Sequence, residues 1–117
     1  MKTDDLVEKM RRDWDERARE NFRYYIVNSR KDWTEEDFRR SGAESVSHYV
    51  LTDMGNVCQG KNPAEMKVLD FGCGSGRVTR ALAAIFGEVH GVDISGEMVE
   101  LAKVHLSDLL NGACQRV

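Results

Sequence analysis

Only one proline, Pro63, occurs in the 117 residues, and the three cysteines stand far apart at positions 58, 73 and 114. With no biased or repeated tract elsewhere, a low-complexity chain is excluded. An odd number of cysteines without Cys-x-x-Cys spacing points away from a disulfide framework and from a zinc knuckle, and leaves small thiols in a reducing compartment as the expectation. No apolar run approaches the roughly 18 residues that span a bilayer, and the opening "MKTDDLVEKM" lacks the apolar centre of a signal peptide. A cytoplasmic location without membrane insertion is therefore expected. A basic excess is missing as well: 17 Lys and Arg face 20 Asp and Glu, for a net charge of −3, so nucleic acid is not indicated as a partner. His48, His90 and His105 form no ligand pair at helical spacing, and no metal site is expected.

What is present divides unevenly along the chain. Residues 1–40 hold 11 basic and 11 acidic side chains, a neutral but charge-dense front. Within it, Leu6, Met10, Trp14, Ala18, Phe22 and Tyr25 recur at spacings of four or three, which predicts an amphipathic helix over residues 3–28. Thr3 is its expected cap, and the i,i+4 pairs Glu8–Arg12, Asp13–Arg17 and Asp15–Arg19 predict a solvated charged face. A second helix is expected from Thr34, where "TEED" places acids in a first turn. It is expected to break at Ser41 and Gly42, with Ser41 capping a third helix over 43–54. Residues 55–66 carry two glycines and the proline and read as a connection.

From residue 67 the pattern changes. "KVLDF" reads as a strand, 72–76 as a glycine loop, 77–86 as a helix, 88–94 as a second strand, and 96–110 as a helix capped by Ser95. "ACQRV" opens a third strand. Strand, helix, strand, helix in this order predicts an α/β fold, a Rossmann-like doubly wound parallel sheet preceded by N-terminal helices. The division expected is a helical lead-in over 1–54, a connection over 55–66 and the start of a ligand-binding unit over 67–117.

In such sheets the ligand lies at the carboxyl ends of the strands. That places Gly72, Cys73, Gly74, Ser75 and Gly76 beside it, with Asp93 at the end of the second strand, 17 residues beyond Gly76. A carboxylate there accepts the hydroxyls of an adenosine ribose. Two ligands fit this outline, a dinucleotide and S-adenosylmethionine. The dinucleotide fingerprint G-x-G-x-x-G requires glycine where Arg77 stands, and the spacing here is G-x-G-x-G with Asp70 just before it. A carboxylate at that point repels a pyrophosphate and attracts a ligand carrying an ammonium and a sulfonium.

"VLDFGCGSGRVTRALA" followed by "VHGVDISGEMVELAK" closely resembles the first two motifs of class I S-adenosylmethionine-dependent methyltransferases. "WDERARENFRYYI" and "DWTEEDFRRSG" look like the helical lead-in of bacterial members. The resemblance implies S-adenosylmethionine as cofactor. It implies Asp70 near the ammonium, Gly72, Cys73, Gly74 and Gly76 along the methionine and ribose, Asp93 on the ribose hydroxyls, Ile94 against the adenine and Met98 at its border. It also implies that Trp14, Arg17 and Tyr25 close over the cofactor, core packing of the aromatics being the alternative. For Asp70 and Asp93 the alternative is a carboxylate that caps nearby amides, and for Ile94 a core side chain; Arg77 is read either as capping the loop or reaching the ligand carboxylate, or as an exposed residue at a helix start.

The function this implies is methyl transfer to a small-molecule acceptor, with the catalytic residues unassigned. Two rival readings stand beside it: a cofactor-binding module without turnover, and a nicotinamide-dependent oxidoreductase. Two or three short strands make a narrow sheet, so the chain is expected to be the front of a longer enzyme and inactive alone. Its helices are expected on one side of the sheet, with apolar strand faces bare.

Overall fold

The computed structural model describes residues 2–27 and 31–117. The apolar stripe of the front segment forms α1, Thr3–Ile26; position 28, the last of the expected helix, lies outside the described residues. Lys2 rather than Thr3 occupies the cap, while Asp4 and Asp5 sit in the first turn against the helix dipole. The expected charge pairs are replaced. Lys9 pairs with Asp13 at 2.7 Å and Arg11 with Glu8, whereas Asp15 and Arg19 turn to other elements. The helix is kinked at Asn21, whose φ of −156° and ψ of 78° are extended. The Asn21 side chain accepts the Tyr24 amide at 3.3 Å, so it caps the last turn from inside.

The second helix, α2, runs unbroken over Glu35–Tyr49, with Thr34 accepting the Asp37 amide at its start. The expected break at Ser41 and Gly42 does not occur. Ser41 donates its hydroxyl back to the Phe38 carbonyl at 2.6 Å, and Gly42 serves close approach. A Cβ there would lie 2.4 Å from the Arg77 carbonyl oxygen, so the glycine lets α2 rest on the chain beside it. In place of a helix over 43–54, a 3₁₀ turn at Leu51–Asp53 leads into the short α3, Met54–Cys58. A second 3₁₀ turn, Pro63–Glu65, delivers the chain to the sheet.

Three strands, β1 (Lys67–Phe71), β2 (Glu88–Asp93) and β3 (Gly112–Arg116), pair in parallel in the order β1-β2-β3. They are joined by α4, Arg77–Ala83, and α5, Gly96–His105, each shorter than its periodicity suggested. Period-2 alternation sorts the faces. Val68, Asp70, Val89, Gly91 and Cys114 point to the helices, while Leu69 and Phe71 are 63% and 83% exposed on the far face. Both connecting helices therefore cover one side, as expected.

The main core joins Val46 of α2 to Cys58, Leu82, Ala83, Phe86 and Val89. Burying a valine, leucine or phenylalanine side chain contributes about 1.5–3 kcal/mol. A smaller cluster, Cys73, Ala102, Leu106 and Cys114, lies under the glycine loop. No helix among the described residues is long and apolar enough to cross a membrane.

Candidate functional site

The glycine loop leaves β1 through Gly72 at φ 80°, Gly74 at 55° and Gly76 at 86°, a left-handed backbone that side chains rarely adopt. This winding turns the chain back beneath β2. The Gly72 and Cys73 amides donate to the Val92 carbonyl at 2.8 and 3.0 Å, fixing the loop against the end of β2. Above it opens a cleft of about 680 Å³, lined by Asp70, Gly72, Cys73 and Gly74 on one side and by Asp93, Ile94 and Met98 on the other. That volume suits a ligand of nucleoside size. Of the eight cofactor-binding residues expected in the loop and at the ends of the strands, seven thus meet in one cleft. Gly76 stands apart: its Cβ position faces Leu106 at 3.0 Å, so its part is to let the loop turn onto that side chain.

The carboxylates are held in place by the chain itself. Asp93 accepts the Gly74 amide at 2.8 Å through one oxygen and the Ser95 amide at 2.9 Å through the other. It therefore caps amides, and each oxygen keeps a lone pair for a further donor. Asp70 accepts the hydroxyl of Thr79, a fully buried side chain, at 2.6 Å. Arg77 is half-buried rather than exposed. Its Nη1 donates to Ser45 at 3.1 Å and Ser41 at 3.4 Å, and burial pushes its pKa down against the opposing pull of Asp70.

The far wall of the cleft comes from α1. Val7, Met10, Arg11, Trp14, Tyr25 and Ile26 line it, and Arg17 stacks its guanidinium over the rings of Trp14 and Tyr25 at 4.7 and 5.7 Å. The wall is latched to the start of α5. Asp15 accepts the Ser95 hydroxyl at 2.5 Å and the Glu97 amide at 3.2 Å, Arg19 pairs with Glu97 at 3.0 Å, and Arg11 donates to the Ile94 carbonyl at 3.3 Å. Ser95 meanwhile accepts the Met98 amide at 3.1 Å. Sequence reasoning missed Arg11, Asp15 and Thr79. The stripe of α1 contained the signal for Met10 and Trp14 but named Leu6 where Val7 lines the cleft, and a partner 80 residues away leaves none in local spacing. Among the described residues, no group of three or more His, Cys, Asp or Glu is placed to hold a metal ion.

Residues 68–116 match the family described as "Methyltransferase domain". This part of the chain is similar to the class I S-adenosylmethionine-dependent methyltransferases. The ubiquinone biosynthesis O-methyltransferase of Psychrobacter arcticus is 36% identical over 76 residues, 65% of this chain and 26% of that protein. The chain thus spans about a quarter of the length of that relative. A magnesium protoporphyrin IX methyltransferase from Synechocystis PCC 6803, solved with bound S-adenosylhomocysteine, is 26% identical with a TM-score of 0.54, over 81% of this chain and 44% of that one. In fold, all of this chain superposes on 22% of a phosphoethanolamine N-methyltransferase from Haemonchus contortus, at 17% identity and a TM-score of 0.70.

Proposed function

We propose that the cleft binds S-adenosylmethionine and that the protein transfers its methyl group to a small-molecule acceptor with an apolar body. The observation that carries this reading is the meeting of Asp70, the glycine loop and Asp93 around one cleft. In it, the lone pairs that Asp93 keeps free take the ribose hydroxyls, Asp70 faces the ammonium, and Ile94 packs on the adenine. The loop, free of side chains at Gly72 and Gly74, lets the methionine portion lie against backbone. When bound, the cofactor supplies a methyl group already activated by its sulfonium.

What the chain contributes is alignment and exclusion of water. Val7, Met10 and Trp14 present an apolar wall across from the loop, and such a wall favours an acceptor with an apolar ring or chain. The name of the Psychrobacter relative, an O-methyltransferase of ubiquinone biosynthesis, agrees with an acceptor of that type. No group in the cleft is assigned as a general base.

Calorimetric titration of the full chain tests the proposal. Saturable binding of S-adenosylhomocysteine at one site per chain, without saturable binding of NAD, is the expected result. The reverse pattern would overturn it.

A further inference from the structure

Two of the three cysteines meet beneath the cleft. Gly91 on β2 is in register with Asp70 of β1 and Cys114 of β3. Cys73, just past the end of β1, reaches the same spot from the loop. The point where residue 91 would place a Cβ lies 2.5 Å from the Cys114 sulfur and 2.9 Å from the Cys73 sulfur. Because residue 91 is glycine, no side chain separates the two thiols. Both are buried, in a pocket closed by Ala102 and Leu106, whereas Cys58 belongs to the other core cluster. Cys73 lines the cleft, but neither sulfur is given a role in the cofactor reading.

We propose that Cys73 and Cys114 are a redox-active pair, which hydrogen peroxide joins in a disulfide that ties the glycine loop to β3 and weakens ligand binding in the cleft above. The polar surroundings suit this chemistry. The Cys73 thiol is hydrogen-bonded to Cys114, and that contact together with burial pushes its pKa well up, while the same contact lowers that of Cys114 against burial and the nearby carboxylates of Asp70 and Asp93. Of the two sulfurs Cys114 is the more readily deprotonated, and it acts as the nucleophile. Its sulfur attacks one peroxide oxygen, the O–O bond breaks, and the departing hydroxide takes a proton to leave as water. The resulting sulfenic acid is attacked by the Cys73 sulfur, which loses its proton. The S–O bond breaks and a second water leaves. Two thiols lose two hydrogens, and the peroxide is reduced to two waters.

Access to the buried pair requires local opening of the loop. A ligand that lies on the loop opposes that opening, so cofactor occupancy and oxidation compete. The disulfide itself does not depend on the identity of the ligand; the competition rests on the cofactor reading given above.

The test uses the full chain treated with hydrogen peroxide, alkylated, digested without reductant and analysed by mass spectrometry. The expected product joins the peptides of Cys73 and Cys114 within one chain, two hydrogens lighter, with Cys58 alkylated, and a dithiol reductant restores all three thiols. Three alkylated cysteines, or cross-links that chiefly use Cys58 or a second chain, would overturn the proposal. A second arm titrates S-adenosylhomocysteine. Peroxide should lower its affinity by about tenfold or more in the native chain and leave that of Cys114→Ala unchanged. Equal loss in both would also overturn it. Absence of ligand binding before oxidation would instead count against the cofactor reading, with the peptide cross-link still deciding on the thiol pair.

Discussion

The two long helices that precede the sheet, α1 and α2, are held in different ways. α2 buries Phe38, Gly42 and Val46 and shares the main core with Leu82, Phe86 and Val89. α1 buries only Ala18 among its 24 residues; apart from Phe22, whose ring meets Phe38 of α2 edge-to-face at 5.9 Å, it is fastened by a few side-chain hydrogen bonds to the start of α5. Apolar interdigitation makes α2 part of the body of the molecule. A polar latch makes α1 a wall that can be released without unfolding what lies beneath it. The difference teaches that the charge-dense front is not one unit: one helix supports the glycine loop from the side, and the other closes the cleft.

The largest effect should come from Gly42→Ala. The added methyl would lie 2.4 Å from a backbone oxygen of Arg77, and overpacking of this kind costs about 1–3 kcal/mol. Chemical denaturation should show that loss, whereas Gly55→Ala, where nothing lies within 4 Å of the added atom, should be neutral or stabilising. Equal effects at both positions would remove the distinction drawn for α2.

Asp93→Ala comes next, because it strikes both halves of the comparison. It removes the acceptor of the Gly74 and Ser95 amides, and Ser95 in turn holds the latch on α1. Hydrogen bonds to a charged group are worth about 1.5–3 kcal/mol, so affinity for S-adenosylhomocysteine should fall about ten- to a hundredfold. The melting temperature without ligand should fall as well. Calorimetry and a thermal melt of the same variant check the two parts.

These cases show what could be read from the chain alone. The parallel sheet was legible because apolar strands, glycines at 72, 74 and 76 and helical stripes recur within short windows. The loop and both acids followed from spacing. Gly42 was misread as a helix break, since a glycine that admits a neighbouring backbone and a glycine that ends a helix look alike until the neighbour is known. The kink at Asn21 depends on one side chain replacing a backbone acceptor, which periodicity does not register. Asp15 read as half of a surface ion pair with Arg19. Its partners, Ser95 and Glu97, are local only in space.

Asp15→Ala sharpens the account of α1. Losing one acceptor of two donors should free the helix by about 1–2 kcal/mol while the sheet melts almost unchanged. Limited proteolysis should cut within Thr3–Ile26 faster than in the native chain, with the sheet portion protected. Uniform protection would show that the latch does not hold the helix.

The smallest effect expected is a pH dependence on the α2 side. His105 is half-buried, and burial, aided by Arg39 and Arg80 and opposed by Glu35 and Asp108, lowers its pKa from 6.5. The unfolded chain therefore takes up this proton at higher pH than the folded one. The stability it affects is fully present above about pH 6.5 and is lost as pH falls from there through the lowered folded value. Thermal melts from pH 8 to pH 5 should show a decline that His105→Gln reduces.

Hydrogen exchange of the full chain, with and without S-adenosylhomocysteine, tests the central claim most directly, because it locates the ligand and reports on α1 in one measurement. The account predicts slower exchange at 72–76, at 93–98 and along the α1 wall from Val7 to Ile26, with the main core around Val46 and Val89 little changed. Unchanged exchange at 72–76 under saturating ligand, or protection confined to elements away from the cleft, would contradict it.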